Sequence, residues 1–212
     1  MQTAPIETHD WPRPRSLACA AAAALVLALA HPTAALSAEQ AGSVEDIRGE
    51  AFAEAKAARR QLDRAAPVYI ADRVATGPAS RLGIQLGRQT RVRLGEQSRL
   101  TIDRYLVDAG GELTLDGGAM LFDRPAESTP APVQIRSTFG LIAVRGTRFF
   151  AGPSNGVFGV FVQRGTVAVR AGGRRVILHE GEGTDIARRG APPTPPKRWG
   201  EPRVQAALAS VM

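Results

Sequence analysis

Cysteine is almost absent from this 212-residue chain: Cys19 stands alone. A single thiol excludes an internal disulfide. Histidine is nearly as scarce, with only His9, His31 and His179. Cys19, His9 and His31 all precede residue 38, so removal of that segment leaves no thiol and one imidazole. A Cys/His metal cluster and a cysteine nucleophile are then excluded, and no cofactor is expected. Aromatics make up only 5% of the chain. The basic balance, +7 with a pI near 10.8, raises nucleic acid as a partner. A chain so poor in stacking side chains, one of whose two tryptophans (Trp11) lies in the leader, is a weak reader of bases. After residue 30 no apolar run is long enough to span a bilayer.

The first residues have their own character. Arg13 and Arg15 precede an apolar stretch over 17–30, and His31-Pro32 ends it. Thr33-Ala34-Ala35-Leu36-Ser37-Ala38 then supplies small residues. A basic flank, a short apolar core and a small-residue exit describe a secretory signal peptide over residues 1–38. Cleavage is expected after Ala38, with Ala35 as the next choice. An uncleaved anchor is the alternative, and the apolar run is short for it. Cys19 sits at the start of the apolar core, where a lipoprotein cysteine would follow it. The expectation is a periplasmic, exported protein with no membrane span after signal removal.

The body reads as short alternating runs. Residues 133–150, VQIRSTFGLIAVRGTRFF, are its centre. Val133 and Ile135, then Ile142 and Val144, alternate with polar residues. A period of two with β-branched residues fits strands that bury one face. Gly140 and Gly146 interrupt the run where a bend or a positive φ is expected. The alternation recurs at Val68 and Ile70, at Leu82, Ile84 and Leu86, at Val92 and Leu94, at Leu100 and Ile102, and at Leu113 and Leu115. Asp108-Ala109-Gly110-Gly111 and Asp116-Gly117-Gly118 read as hairpin turns. Residues 157–162 and 167–169 read as a strand pair turning at Gln163-Arg164-Gly165, and 184–186 as the last strand. The pattern predicts an all-β body of short strands with Gly turns, as a β-solenoid-like roll or a sandwich. An open strand edge in such a body is a template for pairing with another chain, a second copy included.

Residues 188–212 differ. Ala191-Pro192-Pro193-Thr194-Pro195-Pro196 cannot enter a sheet, because proline lacks the amide donor, and is expected to form a stiff extended spacer. Arg188, Arg189, Lys197, Arg198 and Arg203 stand against Glu201 alone, so this Pro-rich tail is basic. Residues 204–212 read as a short helical end able to dock on the body or a partner.

Candidate chemistry is thin. His179 lies at a strand end beside Glu180. Ser137 or Ser154 would have to serve as its nucleophile, and neither sits in a nucleophile elbow. Asp103, Asp108, Glu112, Asp116 and Asp123 form an acidic set without a calcium-loop pattern. They read as turn carboxylates that bond their own backbone. Gly181-Glu182-Gly183 lacks the lysine of a phosphate loop. No catalytic residue is assigned, and an enzyme is not expected.

The segment Val144-Arg145-Gly146-Thr147-Arg148-Phe149 resembles the signature of the FecR domain of bacterial envelope proteins. Other pieces stand in the family's order: residues 70–77 (IADRVATG), 80–86 (SRLGIQL), 94–103 (LGEQSRLTID), 165–169 (GTVAV) and 180–183 (EGEG). The resemblance covers roughly 42–187. It implies a rolled, solenoid-like β fold, with a hairpin over 51–66 (AFAEAKAARRQLDRAA). Local propensity makes that stretch helical, although Ala51, Ala53 and Ala55 do alternate. It also implies a sensing or scaffolding module that binds a protein partner in the envelope, with Arg145, Gly146, Thr147 and Arg148 as the partner-binding residues. In the structural alternative, Arg145 pairs with Asp103 or Asp72 and Gly146 sets a bend. Arg148 is a departure, because the family usually has an acidic residue after the threonine. Classical members regulate sigma factors through an amino-terminal domain and a receptor-binding carboxyl region. The segments before 17 and after 187 are short for either, so the iron-signalling role is not expected to carry over. The other functional expectation is binding of an anionic envelope polymer, such as peptidoglycan, through a basic sheet face.

Overall fold

The computed structural model describes residues 38–212 apart from 56–57, 107–109 and 126–131. The expected signal peptide, with Cys19, His9 and His31, lies outside the described residues, as do Asp108 and most of the loop after Asp123. Sixteen strands and one helix follow in order. They are β1 (Gln40–Arg48), β2 (Ala51–Ala55), β3 (Ala58–Gln61), β4 (Pro67–Tyr69), β5 (Arg73–Thr76) and β6 (Arg81–Leu86). Then come β7 (Thr90–Leu94), β8 (Arg99–Leu106), β9 (Gly110–Gly117), β10 (Met120–Asp123) and β11 (Val133–Ser137). The long pair β12 (Leu141–Ser154) and β13 (Val157–Ala171) precedes β14 (Arg174–Leu178), β15 (Glu182–Ile186), β16 (Lys197–Arg198) and the helix α1 (Glu201–Ala209).

All sixteen strands join one curled sheet, which has two wings because β12 and β13 are long enough to serve both. The first part of β12 pairs with β11, and its second part pairs with β10. Likewise β13 pairs with β15 through residues 158–161 and with β14 through 167–171. One wing therefore runs β3-β2-β5-β8-β9-β11 to the long pair and on to β14. The other runs β4-β1-β6-β7-β10 to the long pair and on to β15 and β16. The inward residues of both wings meet in one core. Val74, Leu100, Leu113 and Ile135 come from the first, and Ile84, Val92, Met120 and Phe122 from the second. The period-two reading located Ile84, Val92, Leu100, Leu113 and Ile135 correctly, and the fold is all-β.

One local expectation holds and others change. The hairpin expected over 51–66 is formed by β2 and β3, and local helix propensity does not prevail. Alternation decides this: Ala51 and Ala53 are buried, while Arg59 stacks over Phe52 at 3.8 Å on the other side. Helix propensity of a few tenths of a kcal/mol per residue yields to that packing. Gln163-Arg164-Gly165 is no turn, because β13 runs through it without a break. Asp116-Gly117-Gly118 is a corner that carries the chain from β9 in one wing to β10 in the other, not a hairpin. The last strand is β16, not the segment ending at Ile186.

The tail is a strap, not a free spacer. Thr194 donates its backbone N–H to Asp185 O and accepts the Asp185 N–H on Oγ1, so the proline-rich segment lines the edge of β15. Then β16 pairs with β15, and Trp199 lies flat on the outer face of the second wing. A Cβ at Gly159 or Gly183 would come within 2.7 Å or 2.3 Å of the indole, so only glycine admits the ring there. Trp199 stacks on Phe161 at 5.2 Å and is covered by the Arg203 guanidinium at 3.6 Å. The helix α1 starts with Glu201 and Pro202, residues suited to a first turn. Val204, Ala207, Leu208 and Val211 recur at helical spacing and close a second core over Leu121, Phe150 and Phe161. The wing at this point is apolar on both faces.

Arg203 anchors the strap by donating to Asp185 at 2.6 Å and to Ser154 Oγ at 3.0 Å, and Lys197 pairs with the same carboxylate at 3.1 Å. Burial works to raise the Asp185 carboxyl, but the hydrogen bonds and charges of Arg203 and Lys197 outweigh it and hold the group below its ordinary value. A depressed carboxylate contributes stability that is complete above its unfolded value, about 3.8, and is lost as pH falls through the lower folded value. In a Trp11→Phe chain, acid titration below about pH 4 is expected to release the strap, read as a change in Trp199 fluorescence. Asp185→Asn is expected to abolish that acid transition; an unchanged transition would show that another group governs it.

Candidate binding surface

The segment singled out in the sequence, Arg145-Gly146-Thr147-Arg148, lies where β12 passes from one wing to the other. Arg145 is opposite Thr166 and Arg148 opposite Arg164, with the register shifting between them. Such a bulge adds backbone to one strand and bends it. Gly146 takes φ +58° and Gly165, across the ribbon, φ +87°. A Cβ on Gly165 would meet Gly146 O and Thr147 Cγ2, each at 2.9 Å. Thr147 is fully buried, its carbonyl accepts the Arg124 N–H at 2.9 Å, and its Oγ1 has no hydrogen-bond partner among the described residues. Gly146 and Thr147 are therefore joints of the ribbon. Gly140 ends the β11–β12 turn by close approach, since a Cβ there would lie 2.5 Å from Arg170 O.

The two arginines of the segment part company. Arg148 is half-buried and donates to Asp123 at 3.0 Å and to Gln163 at 2.8 Å. Asp123 also accepts from Arg164 at 2.9 Å. One row across the second wing reads Gln85, Arg91, Asp123, Arg148, Arg164. The departure at position 148 has a physical counterpart here, because an acidic residue would stand directly beside Asp123. Beside this row, Arg91, Arg93, Leu121, Asp123, Arg148 and Met212 line a groove of about 200 Å³. Arg91 and Arg93 are drawn toward Glu45 and Asp46 at 3.5 and 3.2 Å.

Arg145 points the other way. It is exposed on the outer face of the first wing, and its side chain has no partner among the described residues. The expected pairing with Asp72 or Asp103 does not form. Asp72 is fully buried and takes Arg60, while Asp103 accepts the Thr114 hydroxyl at 2.6 Å. Cross-strand register places further arginines on the same face, in the row of Leu141 two rows from Arg145. One row reads Arg136, Leu141, Arg170, Arg175, and the next reads Gln134, Ala143, Ala168, Ile177. Arg170, Arg174 and Arg175 are exposed, and their side chains too lack partners. Ile177 is 46% exposed. No described element covers this face. Sequence reasoning missed Arg170 and Arg175 because only the strand register brings them onto one face with Arg145.

The acidic set is also placed differently from expectation. Asp103, Glu112, Asp116 and Asp123 sit on strands and bond side chains, not turn backbone. Glu112 takes Arg136, and Asp116 takes Arg73 at 3.1 Å. Cross-strand neighbours satisfy them, a contact that sequence separation hides. Ser137 Oγ bonds to Gly140 and Ser154 Oγ to Arg203, so neither serine is turned to His179. The His179 backbone N–H donates to Glu182 at 2.8 Å.

Residues 72–168 match the family model described as FecR protein. This FecR-domain match runs from the residue before β5 to Ala168, near the end of β13. Strands β1 to β4, β14 and β15 fall outside that match and still belong to the same sheet. Two crystal structures from Parabacteroides distasonis, each described as a "putative anti-sigma factor", share the fold. Their TM-scores are 0.55 and 0.54, each at 16% identity over 64% of this chain. The likeness spans 64% and 63% of those chains. No curated protein matches.

Two substitutions test the joint. Gly165→Ala is expected to lower stability by about 1–3 kcal/mol, read from the urea midpoint. Thr147→Val removes a buried hydroxyl without a partner and is expected to be neutral or stabilising. A large loss at Thr147→Val would mean that the hydroxyl is needed for something other than packing.

Proposed function

We propose that this chain is a non-enzymatic regulatory module of the bacterial envelope that senses or scaffolds by binding a protein partner. The bare face of the first wing carries this reading. There Arg145, held out by the Gly146–Thr147 joint, stands with Arg170 and Arg175 on a sheet surface that no described element covers. Cationic side chains without internal partners on an otherwise regular sheet are available to an acidic partner. The FecR domain and its fold neighbours support a signalling role. The leader-like first 38 residues support export and a periplasmic location. Arg148 shares in recognition indirectly, by fixing the far side of the joint against Asp123.

A second reading is an anionic envelope polymer bound through the arginine row of the second wing. Arg148 and Arg164 share Asp123 there, and Arg91 stands opposite it in the row, an excess of positive charge beside a groove. Such binding rests on screened charge and weakens steeply with salt.

Crosslinking in intact cells, followed by mass spectrometry, separates the two. Wild type is compared with Arg145→Ala and with Arg148→Ala, each checked for folding. A discrete protein partner captured by wild type and lost in Arg145→Ala is the expected result. Glycan fragments, or capture that depends on Arg148 and salt alone, would assign the function to the polymer surface. His179→Ala is expected to leave capture and any cellular phenotype unchanged; loss of either would reopen catalysis.

A further inference from the structure

The two wings end in different ways on the side of the long ribbon. In the second wing, β15 is closed by β16 and by the proline-rich strap, which has few amide donors to offer a further strand. In the first wing, β14 pairs with β13 alone, and no described backbone bonds to its other side. The opposite edge of the same wing, β3, has its arginines engaged. Arg59 lies over Phe52 and near Glu54, and Arg60 bonds Asp72. The β14 edge is the reverse case. Arg174 and Arg175 are exposed without side-chain partners among the described residues, Arg170 stands opposite Arg175, and Ile177 follows two residues on from Arg175 along the same face. Arg73, Arg136 and Glu112 are the nearest charges along the adjoining rows, and each is already paired.

We infer that β14 is a docking edge that accepts a short extended acidic segment of another protein as an additional strand. This rests on the partner-binding reading above and supplies the chemistry of the partner. Open backbone groups along β14 would furnish the affinity of strand addition, and alternate side chains the selectivity. Five residues of strand span about 17 Å, which suits an occupant of similar length. Its outward side chains meet Arg175 and Arg170, so they are acidic. Its inward side chains continue the line of Val176 and Leu178 at the core margin, so they are apolar. A second copy of this chain is disfavoured as occupant. Its own open first-wing edges, β14 and β3, each carry two arginines, and like charges across a strand pair are destabilising.

The test uses the full chain and a capped six-residue peptide with glutamates on one face and valines on the other. The same peptide with lysines in place of glutamates is the control. Amide hydrogen exchange is followed at residues 174–178. Slowed exchange there with the glutamate peptide, and not with the lysine peptide, is expected. Arg174→Glu/Arg175→Glu, whose exposed positions leave the core untouched, is expected to weaken binding at least about tenfold, or about 1.4 kcal/mol. Glutamate-peptide binding that leaves 174–178 unprotected, or equal binding of both peptides, would overturn the edge. So would concentration-dependent dimerisation lost in the same variant, which would assign the edge to a second copy. Failure of the edge is distinguishable from failure of the module. A partner captured through Arg145 but indifferent to Arg174→Glu/Arg175→Glu sinks the edge alone, and capture indifferent to both variants sinks the partner-binding reading as well.

Discussion

One bent ribbon, β12 with β13, holds this structure together. Each wing uses a different half of it, so neither wing has its central strands without the other. The bend depends on backbone that side chains would obstruct. Gly146 and Gly165 sit across from each other with positive φ, and the space beside Gly165 is filled by Gly146 O and Thr147. Thr147 itself is buried at the joint. The best-marked motif of the family resemblance is thereby largely architectural. It turns a long hairpin through the change of wing, and its charged neighbours leave on opposite faces as a consequence.

That divergence organises the two outer surfaces. On the second wing, Arg148 joins a row of cross-strand charges and sits at the margin of an apolar patch sealed by Trp199 and α1. On the first wing, Arg145 shares an uncovered sheet with arginines that have no partner among the described residues. The same strand thus contributes to a satisfied surface and to an available one. Strand alternation accounts for this, since a bulge of one residue exchanges the faces that successive side chains occupy.

Much of this was legible in the sequence. The buried positions followed from alternation alone: Ile84, Val92, Leu100, Leu113 and Ile135 all face the core. Corners were not legible in the same way. Asp116-Gly117-Gly118 and Gly172-Gly173 look alike as glycine pairs, yet the first leads between wings and the second closes the β13–β14 hairpin. Glycine reports that the backbone turns and not where the next strand finds its partner. The same limit hid the charge pairs. Asp123 with Arg148 and Arg164, or Asp116 with Arg73, are joined only by register between strands distant in the chain. The strap was half legible, in that its prolines excluded a sheet strand there. Its hold on the body depends on Gly159 and Gly183, whose need for bare backbone appears only once Trp199 lies over them.

The second core is completed by residues made well after those that form its floor. Leu121, Phe150 and Phe161 belong to strands that precede residue 172, and their cover comes from Trp199, Ala207 and Val211. A chain made amino end first must hold an apolar stripe open to water until α1 arrives. During that interval the growing β-sheet is most exposed to misassociation. Loss of α1, by proteolysis or early termination, would make the interval permanent and mark the molecule for holding factors or degradation.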